Sequence, residues 1–128
     1  MYTERKRILI AEDDSAGVVI RYNLDRAGYR AVLARNDHEA WQYLQQQSFD
    51  LLIIDQQMPE LEGLRLCRRV RESAGLSDLP IIMVSVKGLE RQREPWLERI
   101  GPIDVINRPF KPTQLIALIS DCLAAPAA

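Results

Sequence analysis

Acidic residues directly follow two short apolar segments of the chain. Residues 8–11 are apolar and lead into Glu12 and Asp13, and residues 51–54 lead into Asp55. Short, continuous apolar segments are typical of parallel strands that are buried on both faces. The carboxyl ends of such strands meet at one edge of an open sheet, where ligands bind. We therefore expect these acids to lie together, although an acid after a strand can also simply accept backbone N–H bonds at the start of a loop.

The acids predict a site for a divalent cation and a phosphoryl group. Neighbouring carboxylates repel one another, and a hard cation such as Mg²⁺ relieves that repulsion through oxygen ligands. Ser85 and Arg108 follow two later apolar segments. The hydroxyl can donate a hydrogen bond to one phosphoryl oxygen, and the guanidinium can neutralise another. The set fits phosphoryl transfer to a carboxylate, in which positioning and charge neutralisation do most of the catalysis, with Asp55 as the candidate acceptor.

Strands and helices that alternate along the chain would bring these residues together. Strands are predicted at residues 8–11, 29–34, 51–55, 79–84 and 103–107. Helices are predicted at residues 16–27, from Asn36 or Asp37 to about Gln47, after a loop that contains Gly63, near Pro95, and at residues 112–123. The first helix has apolar positions at Val19, Ile20, Tyr22 and Leu24. This order predicts an α/β fold, and at this size the flavodoxin-like doubly wound parallel sheet with strand order 2-1-3-4-5 and helices on both faces is the common solution.

The composition is that of one soluble globular domain. The chain has 128 residues, 47% of them hydrophobic and 27% charged, and a net charge of −1. This charge gives no electrostatic case for direct binding to nucleic acid or to a membrane surface. No apolar segment approaches the ~20 residues of a membrane-spanning helix, and no secretory signal precedes the first strand. We expect a cytoplasmic protein with a domain at residues 1–123, a tail or linker start at residues 124–128, and buried, reduced thiols at Cys67 and Cys122.

Four segments resemble the receiver domain of two-component response regulators, the CheY-like family. They are residues 8–14 (ILIAEDD), 55–63 (DQQMPELEG), 80–85 (PIIMVS) and 108–110 (RPF). The resemblance covers about residues 6–123. It implies a signalling switch, not a turnover enzyme, that receives a phosphoryl group on Asp55 from a histidine kinase or a phosphotransfer protein. It also implies a cis peptide bond before Pro109, and it leaves the output protein or domain unidentified.

The resemblance assigns a metal site and a control of phosphoryl lifetime. Asp13 would bind Mg²⁺ or Mn²⁺ directly and Glu12 would bind it through water. Asp55 and the backbone carbonyl of Gln57 would supply further ligands. The side chains of Gln57 and Lys87 would flank the path of the water that hydrolyses the phosphoryl group, so they would set its lifetime.

The sequence departs from the family at four positions. Arg108 replaces a lysine, and its planar fork could bind phosphate bidentately or pair with unmodified Asp55. Val105 stands at the position of the switch aromatic, Val86 replaces a smaller residue beside the phosphoryl site, and Pro95 falls in the segment that relays the switch. Two hypotheses follow: a phosphorylatable switch, and a phosphorylation-independent protein-interaction module on the same fold.

Other functions of this fold class are disfavoured, and one assembly is left open. A magnesium phosphatase of the aspartyl-phosphate type needs a second acid close after its nucleophile, and position 57 is glutamine. A flavin-binding domain needs a Ser/Thr-rich phosphate loop after the first strand, which this sequence lacks. Apolar residues cover much of the last predicted helix: Leu115, Ile116, Leu118, Ile119 and Leu123. They favour either a homodimer through the fourth helix, fifth strand and last helix, or two-sided core packing.

Overall fold

Five strands and four helices make up the part of the chain that the computed structural model describes, which is residues 5–12, 15–55, 60–86 and 104–124. The strands are β1 (Arg7–Ala11), β2 (Arg30–Ala34), β3 (Leu51–Asp55), β4 (Ile81–Val86) and β5 (Asp104–Arg108). The helices are α1 (Ser15–Arg26), α2 (Asp37–Gln46), α3 (Glu60–Glu72) and α4 (Pro112–Ala124).

The strands form one parallel sheet in the order β2-β1-β3-β4-β5. The predicted fold class and strand order are therefore confirmed. Backbone pairing sets Asp55 beside Val84 and Val86 beside Arg108, so the carboxyl ends of β3, β4 and β5 lie at the same edge. Since β1 pairs with β3, Glu12 leaves the sheet next to the end of the strand that carries Asp55.

Two apolar clusters, one on each face of the sheet, hold the strands in this arrangement. Leu9 and Ile54 pack on the face covered by α2 and α3, whereas Ile10 and Ile53 pack on the face covered by α1 and α4. Full burial of a side chain of this size stabilises the fold by roughly 1.5–3 kcal/mol. The apolar residues of the last helix all belong to the second face or pack against it, which agrees with the core-packing alternative: Leu115, Ile116, Leu118, Ile119 and Leu123.

Local sequence signals set the ends of two helices. Gly28 follows α1 with φ of +99°, a left-handed conformation that glycine adopts without the steric cost of a Cβ. Asn36 caps α2, since its Oδ1 accepts a hydrogen bond from the N–H of Glu39 at 2.8 Å. The carboxylate of Glu39 in turn accepts the N–H of Arg35 at 3.0 Å. Of the two residues predicted to begin this helix, Asn36 is the N-cap and Asp37 is the first helical residue.

Some predicted positions are wrong by comparison with the structure. Gly63 lies inside α3 instead of in the preceding loop, because the helix already begins at Glu60. The strand β4 begins two residues later than predicted, after Pro80, whose ring leaves no N–H for a ladder. On α1, Val19 and Tyr22 are exposed, at 56% and 59%, whereas the other two predicted apolar positions are buried.

Other predictions on the chain's organisation fall partly outside the described residues. The short helix that the sequence predicts near Pro95 falls outside the described residues and remains a prediction. The helix α4 extends to Ala124, one residue past the predicted end at Leu123. The division at residue 123 between domain and tail stays a prediction.

The two cysteines are free thiols in different surroundings. Cys67 is buried in α3, and Cys122 is half-buried in α4, where its Sγ donates to Oδ2 of Asp104 at 2.9 Å. The prediction of burial holds fully for Cys67 alone, and the reduced state of both thiols remains a prediction. Among the described helices, none has both the length and the apolar character needed to cross a membrane.

Candidate functional site

The strand β3 carries Asp55 to the edge of the sheet and buries it there. Each of the five residues of β3 is buried, and Asp55 is 0% exposed. Burial of an ionised carboxylate is costly unless a positive charge or hydrogen-bond donors compensate it. The Asp55 carboxylate therefore needs a positive charge or hydrogen-bond donors from neighbouring elements.

Arg108 supplies that cation from the end of β5. Its Nη2 donates to Oδ2 of Asp55 at 2.9 Å and to Oε2 of Glu12 at 2.7 Å. The Arg108 side chain is 24% exposed, while both carboxylates are almost completely buried. Of the two roles that the sequence left open for Arg108, pairing with unmodified Asp55 is the one observed.

Arg108 ends β5, and its guanidinium has a further donor besides Nη2. The peptide bond between Arg108 and Pro109 is cis, as the family resemblance implied. The Nε of Arg108 is buried and has no hydrogen-bond partner among the described residues. An anion that entered the site would find this second donor on the same guanidinium, which fits a phosphoryl oxygen.

Glu12 reaches the site because α1 carries a glycine opposite it. The backbone N–H of Glu12 donates to the carbonyl of Ala34 at 3.0 Å, which continues the pairing of β1 with β2. A Cβ at Gly17 would lie 2.7 Å from Cγ of Glu12 and 2.8 Å from Cδ1 of Leu33. The space left by Gly17 is therefore filled by the Glu12 side chain.

Sequence reasoning missed Gly17 as a residue that shapes the site. Glycine inside a helix costs about 1 kcal/mol relative to alanine, so its presence in α1 was a signal of close packing. The sequence did not show which side chain fills the space, because Glu12 and Gly17 meet only when β1 and α1 pack together.

Several predicted site residues are placed in part or lie outside the described residues. Asp13, Gln57 and Lys87 lie outside them. The backbone of Ser85 belongs to β4, beside Asn107 of β5, so it lies at the same edge as Asp55. Nothing is described of its side chain or of that of Val86.

The predicted switch position lies in the sheet. Val105 is half-buried in β5 and packs against the cluster beneath α2 and α3. A small β-branched side chain at this place has only restricted rotamers. It offers no aromatic ring that could move between buried and exposed positions.

The described acids fit a hard divalent cation in type and position. Glu12 and Asp55 present buried carboxylate oxygens at one edge of the sheet, and oxygen is the ligand that Mg²⁺ prefers. Within the described ranges no group of three metal-ligating side chains occurs. Asp13 and Gln57, which would complete the predicted ligand set, fall between those ranges.

Comparison with known proteins now identifies the fold family. Residues 8–120 match the model of the response regulator receiver domain. The chain belongs to this family. Receiver domains are the parts of two-component regulators that exchange phosphoryl groups with histidine kinases or phosphotransfer proteins, and membership of this family is consistent with a phosphoacceptor role.

Curated relatives of this receiver domain are bacterial transcriptional regulators. It is 36% identical over 118 residues to the phosphate regulon regulatory protein PhoB of Rhizobium meliloti, covering 91% of the chain and 52% of PhoB. It is 30% identical over 119 residues to the alkaline phosphatase synthesis regulator PhoP of Bacillus subtilis, covering 92% of the chain and 48% of PhoP. The chain thus spans about half the length of these relatives.

Solved receiver domains share its fold. The chemotaxis regulator CheY4 of Vibrio cholerae superimposes with a TM-score of 0.85 at 23% identity, covering 94% of this chain and 100% of CheY4. This likeness shows the fold alone. The receiver domain of the sensor kinase PA1611 from Pseudomonas aeruginosa has a TM-score of 0.83 at 26% identity, covering 95% of this chain and 100% of that one. The PA1611 structure has a magnesium ion in its active-site cleft.

Proposed function

We propose that this chain is a phosphoacceptor switch in which Asp55 receives a phosphoryl group from a histidine kinase or a phosphotransfer protein. The observation that carries the proposal is the Asp55 carboxylate, buried at the carboxyl edge of the sheet and bonded to the cationic Arg108. Family membership supports the same reaction. The absence or replacement of the usual aromatic switch at Val105, and the roles of Gln57 and Lys87 in phosphoryl lifetime, remain predictions.

The proposed step is an in-line transfer between two nucleophiles. A carboxylate oxygen of Asp55 forms a bond to phosphorus while the bond between phosphorus and the donor's histidine nitrogen breaks. The product is an aspartyl phosphate, and the bonding electrons stay with the leaving imidazole, which then takes a proton from solvent. Arg108 stabilises charge on the phosphoryl oxygens through its fork, and Ser85 donates a hydrogen bond from its hydroxyl.

The proposed metal site consists of the side chains of Glu12, Asp13 and Asp55 and the backbone carbonyl of Gln57. A bound Mg²⁺ or Mn²⁺ ion would neutralise negative charge between the phosphoryl group and the acceptor. Glu12 and Asp55 hold their carboxylates at the edge where that charge develops. The homodimer predicted through the fourth helix, the fifth strand and the last helix remains a prediction.

The test of this function is covalent labelling with a small donor. With acetyl phosphate and Mg²⁺, the intact protein is expected to gain the mass of one phosphoryl group. Asp55→Asn should abolish the gain because the amide is a poor nucleophile. Asp121→Asn, which removes an exposed carboxylate of α4, should leave it unchanged.

A folded protein that gains no Asp55-dependent mass would contradict the proposal. The test must include both acetyl phosphate and a phosphorylated phosphotransfer protein, because some acceptors discriminate between donors. Failure with both would favour the phosphorylation-independent interaction module.

A further inference from the structure

One nitrogen of Arg108 compensates two buried carboxylates at once. The two N–H groups of Nη2 serve Glu12 and Asp55, at 2.7 and 2.9 Å. These carboxylates are 1% and 0% exposed, so solvent screens the contact little. A guanidinium stays charged at every physiological pH. The unmodified site therefore already holds a permanent cation.

We propose that Arg108 is a tethered counter-ion that competes with the divalent cation for Glu12 and Asp55. Metal binding would then require Arg108 to move away from at least one of these carboxylates. The proposal rests on the proposed function, since it concerns the metal site of the same reaction.

Electrostatics gives the reason for competition. A metal ion and the guanidinium both gain energy from the same two negative charges, and at short range they repel each other. The carboxylate oxygens bonded to Nη2 are no longer fully available as metal ligands. The ion must therefore displace a charge-assisted hydrogen bond in addition to shedding water.

The packing around Glu12 keeps this contact in place. Its Cβ and Cγ fill the space opposite Gly17, where an added Cβ would lie within 2.9 Å of both atoms. Leu33 closes the same space from β2. Since its stem is enclosed, the Glu12 carboxylate has little freedom to turn from Arg108 toward another position.

The first test compares Mn²⁺ affinities without any phosphodonor. Free Mn²⁺ is measured by electron paramagnetic resonance during titration of the wild type, Arg108→Gln and Arg108→Lys. Arg108→Gln is expected to bind Mn²⁺ at least about tenfold more tightly because the competing charge is gone. Arg108→Lys keeps the charge and should stay within about threefold of the wild type. Arg30→Gln, an equal charge change at the exposed start of β2, should have no effect.

The second test uses the wild-type protein, because Arg108→Gln removes a cation from beside two buried carboxylates and can impair folding. Side-chain signals of ¹⁵N-labelled arginine are followed by NMR as Mg²⁺ is added. The Arg108 Nε and Nη signals should shift with the midpoint of metal binding, whereas those of Arg30 should not.

Two results would contradict the proposal that Arg108 competes with the divalent cation. One is folded Arg108→Gln that binds Mn²⁺ no more tightly than the wild type. The other is an Arg108 signal that stays fixed when Mg²⁺ saturates the protein. Neither measurement uses a phosphodonor, so a chain that shows the competition but gains no phosphoryl group would refute the proposed function alone.

Discussion

Arg108 shows how one residue type changes the chemistry of a shared site. A lysine ammonium is a compact point charge, whereas a guanidinium presents N–H donors in a rigid plane. Here one nitrogen of that plane, Nη2, bonds both Glu12 and Asp55, and the buried Nε remains as a further donor. Phosphorylation of Asp55 would add oxygens that this fork can bind. The replacement is thus compatible with a phosphoacceptor, and the same fork bonds the unmodified carboxylate.

Two helical glycines allow a matched test of the packing around Glu12. Alanine is the better helix former, yet a Cβ at Gly17 would lie 2.7 Å from Glu12 Cγ. We expect Gly17→Ala to lower the free energy of unfolding by roughly 1–3 kcal/mol through overpacking. At Gly63 in α3 a Cβ would meet Ile54 at an ordinary 3.6 Å. Gly63→Ala should therefore be neutral or stabilise by up to about 1 kcal/mol.

Urea denaturation of both variants and of the wild type measures the change in the free energy of unfolding. A Gly17→Ala protein as stable as the Gly63→Ala protein would show that Glu12 moves aside at no cost. The enclosed position of Glu12 would then be disproved.

At the scale of elements, α1 has one buried and one exposed apolar face. Ile20 and Leu24 pack on the sheet, whereas Val18, Val19 and Tyr22 are more than half exposed. A cleft of about 410 Å³ between α1 and α4 is lined by Val19 and Ile116 and reaches Arg108. The cleft leads from this face of α1 to the residue that bonds Asp55, so we expect a protein donor of the phosphoryl group to contact this face.

A negative charge on this face of α1 should slow phosphoryl transfer from a protein donor without changing the reaction with a small donor. Val19→Glu is expected to slow labelling by a phosphorylated phosphotransfer protein at least about tenfold, because docking would bury the new carboxylate. Labelling by acetyl phosphate should be unchanged, since that donor needs no docking surface. Ala74→Glu, exposed in the loop after α3, serves as the control. Equal slowing with both donors would show that Val19→Glu disturbs the phosphorylation site and not a docking surface.

At the scale of the whole molecule, a buried thiol links stability to alkaline pH. Burial in α3 raises the pKa of Cys67 from 9.0 to about 12, and the nearby positive charge of Arg71 opposes the shift only in part. The unfolded chain therefore loses this proton at lower pH than the folded protein. The contribution of the thiol to stability is full below about pH 9 and is lost as pH rises toward 12.

Cys67→Ala should consequently weaken the alkaline loss of stability. We expect the fall in the free energy of unfolding between neutral pH and about pH 10.5 to be smaller in the variant than in the wild type. Urea denaturation at both pH values measures it, and the neutral-pH value corrects for the lost side-chain volume. An identical fall in both proteins would show that Cys67 does not ionise on unfolding in this range.

The sequence by itself determined the sheet and the place of its acids. Continuous apolar segments specify buried parallel strands, and the residues that end them necessarily share an edge. Residues that end or begin helices, such as Asn36 and Gly28, act through nearby backbone groups, so their positions are recognisable in the sequence. The resemblance to receiver domains added the class of phosphoryl donor and the cis peptide bond before Pro109.

Only the tertiary structure decided which side chains of the site bond to one another. Arg108 lies 53 residues from Asp55 and 96 from Glu12, and no local pattern could show that it bonds both carboxylates. An apolar periodicity likewise does not show which face of α1 is covered, and Val19 is exposed because α4 leaves a cleft beside it. Such contacts depend on the packing of distant elements, which the spacing of residues along the chain does not record.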